Sequence, residues 1–304
     1  GKIKHPSSDT YWKFLLGEKA EIMNKLESNY ELTLSDVASD IFAGFQTGRD
    51  KIFFVEIIED NGELVKVRNI AFNTNHTIEK KILKKTLMGA GIRRWNTNWE
   101  NNYAVYPYED SQKITTLIPK DKLAKKFPKT LVYFESFKDE LMESETSEAV
   151  DNANYYRYRR ARSISQFENR KILAQVLAVK NTFVLDDENY YFVGGGNAGG
   201  FGIIIDEKYS KFSHTVLAIL NSKIAEFYIK NTSSPFQSGF FSYGKRFIKN
   251  LPIKLPDEKQ NDEIIDLTKK VLTRKENGED YDEIENKLDD AIFEMYGFDE
   301  QEKA

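Results

Sequence analysis

Apolar residues recur every three to four positions in several stretches of the chain, which is the spacing of an amphipathic helix. The predicted helices cover residues 9–26, 120–145, 213–229, 257–275 and 281–296. Asp9 is a candidate N-cap for the first helix. Pro128 should interrupt the second, because proline disfavours helical backbone in the residue before it. Gly297 should end the last helix.

Short runs of β-branched and aromatic residues, bounded by turn residues, predict strands between these helices. The runs cover residues 52–58, 64–70, 103–106, 172–178, 182–185, 190–193 and 202–205. Asn61-Gly62 predicts a hairpin turn between the first two. Residues 78–87 are rich in lysine and fit either a helix or a strand. Because strands and helices mix without regular alternation, the sequence predicts an α+β fold.

The order of these elements divides the chain into three parts. Residues 1–31 form a helical segment, residues 32–256 a mixed-sheet body, and residues 257–304 a helical hairpin. A chain of 304 residues is long enough for a large domain with such appendages. Each flanking helix has an apolar stripe, so we expect these helices to pack together or onto the body.

The charge of the chain is unevenly distributed around a formal net charge of −4. Residues 257–304 hold 17 acidic and 7 basic side chains, which leaves 37 basic and 31 acidic in residues 1–256. Two basic runs lie in that body, at 79–129 and 154–171. Basic runs mixed with aromatics are typical of a polyanion site, and equally of a solvated face. The sequence pI of about 5.7 counts against nucleic acid unless the acidic tail is a separate element.

Several kinds of chemistry are excluded by the residues present. There is no cysteine, so disulfides, thiolate nucleophiles and Cys-ligated metals are excluded, and a cytoplasmic location is expected. No apolar run approaches the roughly 18 residues of a membrane span. His5, His76 and His214 lack metal-ligand spacing. We therefore expect no catalytic and no metal-binding residues in this chain, and no contact with a membrane.

The glycine run between Gly194 and Gly202 contains the pattern GxGxxG. A dinucleotide site requires a helix after such a run, but the apolar residues Ile203 to Ile205 predict a strand. We expect instead a loop or hairpin where another backbone passes closely. The chain also has no Pro-Pro pair, and therefore lacks the Asn/Asp-Pro-Pro-aromatic loop of an adenine-methylating site.

An ordered set of motifs over residues 35–298 resembles the TaqI-like C-terminal specificity domain, a module that gives restriction-modification enzymes and adenine-specific DNA methyltransferases their target sequence. The motifs are AGFQTGRDKIFFV (43–55), LMGAGIRRW (87–95), YPY (106–108), FKDEL (137–141), YYRYRRAR (155–162), FENRKIL (167–173), YFV (191–193) with the glycine run, LNSK (220–223), GFFSY (239–243), LPI (251–253) and MYGF (295–298). Met88 and Ala90 stand where the family usually has arginines.

This resemblance implies that residues 32–256 are a DNA target-recognition domain that positions duplex DNA for a catalytic region upstream in the same protein. Residues 1–31 would then be a helical linker from that region. The complete protein would be a prokaryotic adenine-N6 DNA methyltransferase, with or without a type II endonuclease. It would use S-adenosylmethionine, and Mg²⁺ for cleavage, whereas no cofactor is expected in the present chain.

Candidate DNA contacts are polar residues in loop-like settings. Arginine and lysine suit phosphate and guanine, and asparagine and glutamine suit adenine. The candidates are Gln46, Thr47, Arg49, Lys51, Arg93, Arg94, Arg157, Arg159, Arg160, Arg162, Gln166, Asn197, Gln237, Lys245 and Arg246.

The arginine cluster at 157–162 allows a sharper expectation. If this segment is extended, Arg157 and Arg159 share one face, and Arg160 and Arg162 the other. We therefore expect two of the four to contact DNA, and the other two to pair with acids or brace the loop. The tyrosines at 155, 156 and 158 either stack on a base or are half-buried in a sheet.

An alternative interpretation is a protein-interaction module that docks partner subunits without reading DNA. The acidic terminal helices favour it, because phosphate repels them. DNA retention that falls steeply with salt would distinguish the first interpretation from the second.

Overall fold

The computed structural model describes residues 17–111, 114–143, 151–196, 198–299 and 302. Its helices are α1 (Glu18–Ser28), α2 (Leu34–Val37), α3 (Asp50–Phe53), α4 (Lys120–Lys126), α5 (Pro128–Ser136), α6 (Lys138–Met142), α7 (Ile164–Glu168), α8 (Ser213–Asn221), α9 (Lys223–Thr232), α10 (Lys245–Ile248), α11 (Glu258–Glu276) and α12 (Asp282–Tyr296). Its strands are β1 (Leu32–Thr33), β2 (Ala38–Ala43), β3 (Phe54–Asn61), β4 (Leu64–Asn69), β5 (Thr74–Glu79), β6 (Leu83–Leu87), β7 (Asn102–Val105), β8 (Tyr108–Ser111), β9 (Ile114–Leu117), β10 (Lys171–Gln175), β11 (Leu177–Ala178), β12 (Phe183–Asp186), β13 (Tyr191–Phe192), β14 (Gly200–Ile205), β15 (Phe241–Ser242) and β16 (Pro252–Ile253).

Within these ranges the strands form two larger sheets and three strand pairs. The larger sheet has the order β13-β6-β7-β3-β4-β5, and β13 pairs with β6 in parallel while its other pairs are antiparallel. The second sheet is antiparallel throughout, in the order β12-β10-β14-β2. Helices lie outside these sheets without regular βαβ alternation, so the predicted α+β class is confirmed.

The four-stranded sheet separates two hydrophobic cores. Successive side chains of a strand point to opposite faces. Ile172 of β10 accordingly belongs to the first core, which holds the long helices, whereas Leu173 belongs to the second, aromatic-rich core. On β2, Ile41 and Phe42 divide in the same way. Both faces of this antiparallel sheet are therefore buried.

The flanking helices contribute to the first core. Met23 and Leu26 of α1 are buried there, as are Ile264 of α11 and Ile292 of α12. The prediction that these helices pack onto the body is confirmed for α1, α11 and α12; residues 1–16, where the first predicted helix begins, lie outside the described residues. Gly297 ends α12 with a φ of 78°, as the sequence predicted.

Several local predictions were wrong. Residues 172–178 form two short strands, β10 and β11, and Phe137 separates α5 from α6 within the second predicted helix. Residues 213–229 form two helices instead of one, because Ser222 is extended and its hydroxyl accepts the N–H of Ala225 as the cap of α9. The strand predicted from residue 52 begins only at Phe54, because residues 50–53 form the helical turn α3. Residues 78–87 are extended on either side of a 3-10 turn.

Candidate nucleic-acid interface

A surface cleft of about 640 Å³ lies beside the turn between β2 and β3. Its walls come from that turn, from the end of α6, from Phe72 and Arg159, and from the glycines after β13. Five residues predicted from the sequence line it: Gln46, Thr47, Arg49, Lys51 and Arg159. The fold thus brings separate parts of the sequence to one surface.

Three chain segments run side by side to form the floor of the cleft. Phe45 pairs in parallel with Val193, and Gln46 pairs in antiparallel fashion with Arg160. A Cβ atom built on Gly194 would lie 2.1 Å from the carbonyl oxygen of Gly44. A side chain at Gly194 is therefore excluded. This confirms the prediction that another backbone passes close to the glycine run.

Thr47 is buried and shapes the turn. Its hydroxyl hydrogen-bonds to the Asp50 carboxylate and accepts the N–H of Arg49 at 3.0 Å, which holds the start of α3. Arg49 in turn donates from Nε to the carbonyl oxygen of Glu140 at 3.1 Å. The Thr47 hydroxyl and Nε of Arg49 therefore stabilise the cleft through hydrogen bonds within the protein.

Asn69, which is not among the residues predicted from the sequence, fixes a wall of the cleft. Its buried amide donates to the carbonyl oxygen of Lys51 and to the Tyr133 hydroxyl, both at 2.9 Å, and accepts the N–H of Phe72 at 3.1 Å. One side chain thus joins two of the segments that line the cleft. An asparagine at the end of a strand is too common a signal to have identified it.

Three side chains at the cleft are left for a ligand. No hydrogen bond or ion pair of the Gln46, Lys51 or Arg159 side chain forms within the described part of the chain. Lys51 and Arg159 are exposed cations, whereas Gln46 is partly buried. Asp50, Glu140 and Glu143 line the same cleft, so its carboxylates equal its cations in number. This arrangement can offer two cations and one amide to an anionic, hydrogen-bonding partner.

The arginine cluster is divided by its surroundings, although residues 157–162 are not a regular strand. Arg159 lines the cleft, and Arg160 is exposed. Arg162 donates from Nε to the carbonyl oxygen of Ala43 at 3.0 Å, so it braces the segment that leads to the cleft. Arg157 is partly buried and also has an interaction partner.

The neighbouring tyrosines belong to the aromatic core, so they are not available to stack on a base. Tyr156 donates to the carbonyl oxygen of Ile118 at 2.7 Å, and Tyr158 to that of Val105 at 2.8 Å. Tyr155 is 1% exposed, and burial raises its pKa to about 12.

The other candidates do not line the cleft. Arg94 forms an ion pair with Glu285 of α12 at 2.7 Å, and Arg93 beside it is exposed. Gln166 donates to Asp40 at 2.6 Å and caps α7. Three exposed residues lie near β15, namely Gln237, Lys245 and Arg246. Asn197 lies outside the described residues.

The glycine run does not form a nucleotide loop. It is followed by β14 and not by a helix, and the N–H groups of Gly194 and Gly200 donate to the carbonyl oxygens of Phe45 and Val193. The run therefore offers no helix N-terminus to a pyrophosphate, and does not fit S-adenosylmethionine as a Gly-rich cofactor loop. In the described residues, no group of three His, Asp or Glu side chains could hold a metal ion, and no helix is long and apolar enough to cross a membrane.

Comparison with known proteins identifies the family of the chain. Residues 84–253 match the model of the TaqI-like C-terminal specificity domain, which is more than half of the chain. The chain therefore belongs to the TaqI-like C-terminal specificity domain family. It is also 22% identical over 259 residues to the type II restriction enzyme and methyltransferase RM.Eco57I of Escherichia coli. That alignment covers 82% of this chain but 26% of the relative, so the chain spans about a quarter of its length.

Proposed function

We propose that this chain binds duplex DNA through the cleft and supplies the sequence recognition of a restriction-modification protein. The observation that carries the proposal is the convergence of Gln46, Lys51 and Arg159 on one surface, from segments more than a hundred residues apart. Lys51 and Arg159 would contact phosphates and set the register of the duplex, and polar side chains between them would reach base edges.

The likeness to RM.Eco57I supports a wider proposal about the complete protein. In the complete protein this chain would position DNA for a methyltransferase domain, which would use S-adenosylmethionine to methylate adenine, with or without Mg²⁺-dependent cleavage. In this division residues 1–31 are the linker, residues 32–256 the recognition domain, and residues 257–304 the acidic hairpin. A cytoplasmic location fits a chain without cysteine.

The test is binding to duplex DNA over a series of salt concentrations. We expect the affinity to fall steeply as salt rises, because binding releases counterions from the phosphates. Lys51→Ala and Arg159→Ala should each reduce the salt slope by about one and weaken binding to all sequences alike.

Lys259→Ala is the matched control, because it removes the same charge from an exposed position on the acidic helix α11. It should leave the slope unchanged. Affinity for DNA that does not depend on salt, or equal slopes for all three variants, would contradict the proposal. Loss of partner-protein binding in such variants would favour the protein-interaction module instead.

A further inference from the structure

The backbone of Gln46 is held on both sides. Its N–H donates to the carbonyl oxygen of Arg160 and its carbonyl oxygen accepts the N–H of Arg160, both at 2.9 Å. On the other side, Phe45 is bridged to Val193. The Cα atom of Gln46 therefore occupies a fixed place in the floor of the cleft, and its side chain is not carried by a loose loop.

The amide of Gln46 lies directly against Gly195. A Cβ atom built on Gly195 would lie 1.9 Å from Nε2 of Gln46 and 2.6 Å from Cδ. Gly195 has a φ of +86°, a backbone conformation that favours glycine. The missing side chain at position 195 is thus the space in which the amide rests.

This amide differs from two other glutamine amides that the fold uses. Gln166 donates to Asp40, and Gln175 donates to the carbonyl oxygens of Gly89 and Ile92 at 3.0 and 2.8 Å. The Gln46 amide makes no hydrogen bond within the described part of the chain. It therefore presents a donor and an acceptor together, beside the cations Lys51 and Arg159.

We propose that Gln46 reads one adenine of the target, with Nε2 donating to N7 and Oε1 accepting from N6, and that Gly195 positions its amide. The inference rests on the proposed function, because it places duplex DNA in the cleft. Adenine is the base whose major-groove edge pairs one acceptor with one donor in the arrangement that a glutamine amide complements.

The experiment is selection from a pool of duplexes with a randomised core, using the full chain and its variants. Wild type should select a motif with a required adenine. Gln46→Ala should reduce the preference for that adenine by about 10- to 100-fold, as expected for loss of a paired contact, and leave the other positions unchanged. Gln46→Glu should shift the preference towards cytosine, because a carboxylate accepts from the cytosine N4 amino group.

Two glycine variants test the positioning role. Gly195→Ala and Gly196→Ala both place alanine at a positive φ, +86° and +60°, so both carry backbone strain. Only the first places a Cβ on the Gln46 amide, since nothing lies within 4 Å of a Cβ at Gly196. Gly195→Ala should weaken the adenine preference, and should add nothing further in a Gln46→Ala background. Gly196→Ala should keep the wild-type motif.

Each failure has a distinct meaning. If wild type does not bind duplex DNA, the proposed function and this inference both fail. If wild type binds but selects no motif, or if Gln46→Ala weakens all sequences equally, only the adenine-reading role is overturned. If Gly195→Ala selects the same motif as Gly196→Ala, the positioning role of Gly195 is overturned.

Discussion

Arg94 and Glu285 form an ion pair, with 2.7 Å between Nη2 and Oε1, that joins the segment after β6 to helix α12. The same Oε1 atom accepts the indole N–H of Trp95 at 2.5 Å. The two side chains of the pair are only 22% and 21% exposed. A carboxylate of helix α12 thus pairs with an arginine that the sequence makes a candidate for DNA contact.

Glu285→Ala should therefore destabilise the protein by about 1–3 kcal/mol, because it leaves the buried Trp95 N–H without its acceptor. Urea unfolding measures this change. Glu283→Ala, on the same helix but 84% exposed, is the matched control and should leave the free energy of unfolding nearly unchanged. Equal effects of the two variants would show that the pair does not hold α12.

Lys171→Met should lower the free energy of unfolding by about 3–5 kcal/mol, more than Glu285→Ala, because it leaves a buried carboxylate without its cation. Lys171 and Asp186 are opposite each other on β10 and β12, with 2.6 Å between Nζ and Oδ2, and both side chains are 0% exposed. Arg170→Ala removes the neighbouring exposed pair with Asp187 and should have little effect. A small loss for Lys171→Met in urea unfolding would contradict this account.

Replacement of the whole pair by apolar residues should not restore stability. Such replacements are often neutral for buried ion pairs. Here, however, Asp186 also accepts the backbone N–H groups of Glu188 and Tyr190, both at 3.0 Å. Lys171→Met combined with Asp186→Leu would leave both N–H groups unpaired, so urea unfolding should still show a clear loss.

Asn69→Ala should weaken both folding and DNA binding. The variant removes the partner of the Lys51 carbonyl and of the Phe72 N–H, which should cost about 1–3 kcal/mol of unfolding free energy. It should also lower DNA affinity, because Lys51 and Phe72 line the cleft. Asn75→Ala, at an exposed position of β5, should change neither. If Asn69→Ala bound DNA with wild-type affinity, Asn69 would not be needed to shape the DNA-binding cleft.

The stability of the protein should fall as the pH is lowered from about 7.5 to about 5.5. Burial lowers the pKa of His214 below its usual value, and the charges of Arg170 and Lys269 lower it further. Burial also lowers the pKa of His76. Because both histidines take up a proton more readily in the unfolded state, protons favour unfolding between the folded pKa and the unfolded value of about 6.5.

Urea unfolding at several pH values tests this origin. His214→Gln should reduce the fall of the unfolding free energy with falling pH. His76→Gln should reduce it as well, and the two effects should add. An unchanged slope in both variants would assign the pH dependence to other groups.

Local signals in the sequence were sufficient for many elements but not for the site. The turn at Asn61-Gly62, the interruption at Pro128 and the end of α12 at Gly297 depend on the preferences of a few neighbouring residues, and all three were predicted. The contact of Gln46 with Gly195 joins residues far apart in the sequence. It follows from the pairing of three segments, which no local pattern encodes. Gln46 could be predicted as a candidate, but its glycine partner could not.

The same limit explains the tyrosines. The spacing of Tyr155, Tyr156 and Tyr158 allowed either stacking on a base or burial in the protein. The hydroxyls of Tyr156 and Tyr158 donate to the carbonyl oxygens of Ile118 and Val105, which lie in distant parts of the sequence. Only the folded arrangement therefore decides between the two. The pairing of Lys171 with Asp186 was missed for a similar reason, because charged side chains are expected at the surface.

The four-stranded sheet, with one core on each face, determines how the protein loses its structure on heating. Loosening either face would shift the strand backbone and disturb side chains on the other, because neighbouring residues such as Ile172 and Leu173 belong to different cores. The helical side and the cleft side are therefore expected to melt together in one cooperative transition. A destabilising substitution in either core should consequently lower the melting temperature of the helical side and of the cleft side by the same amount.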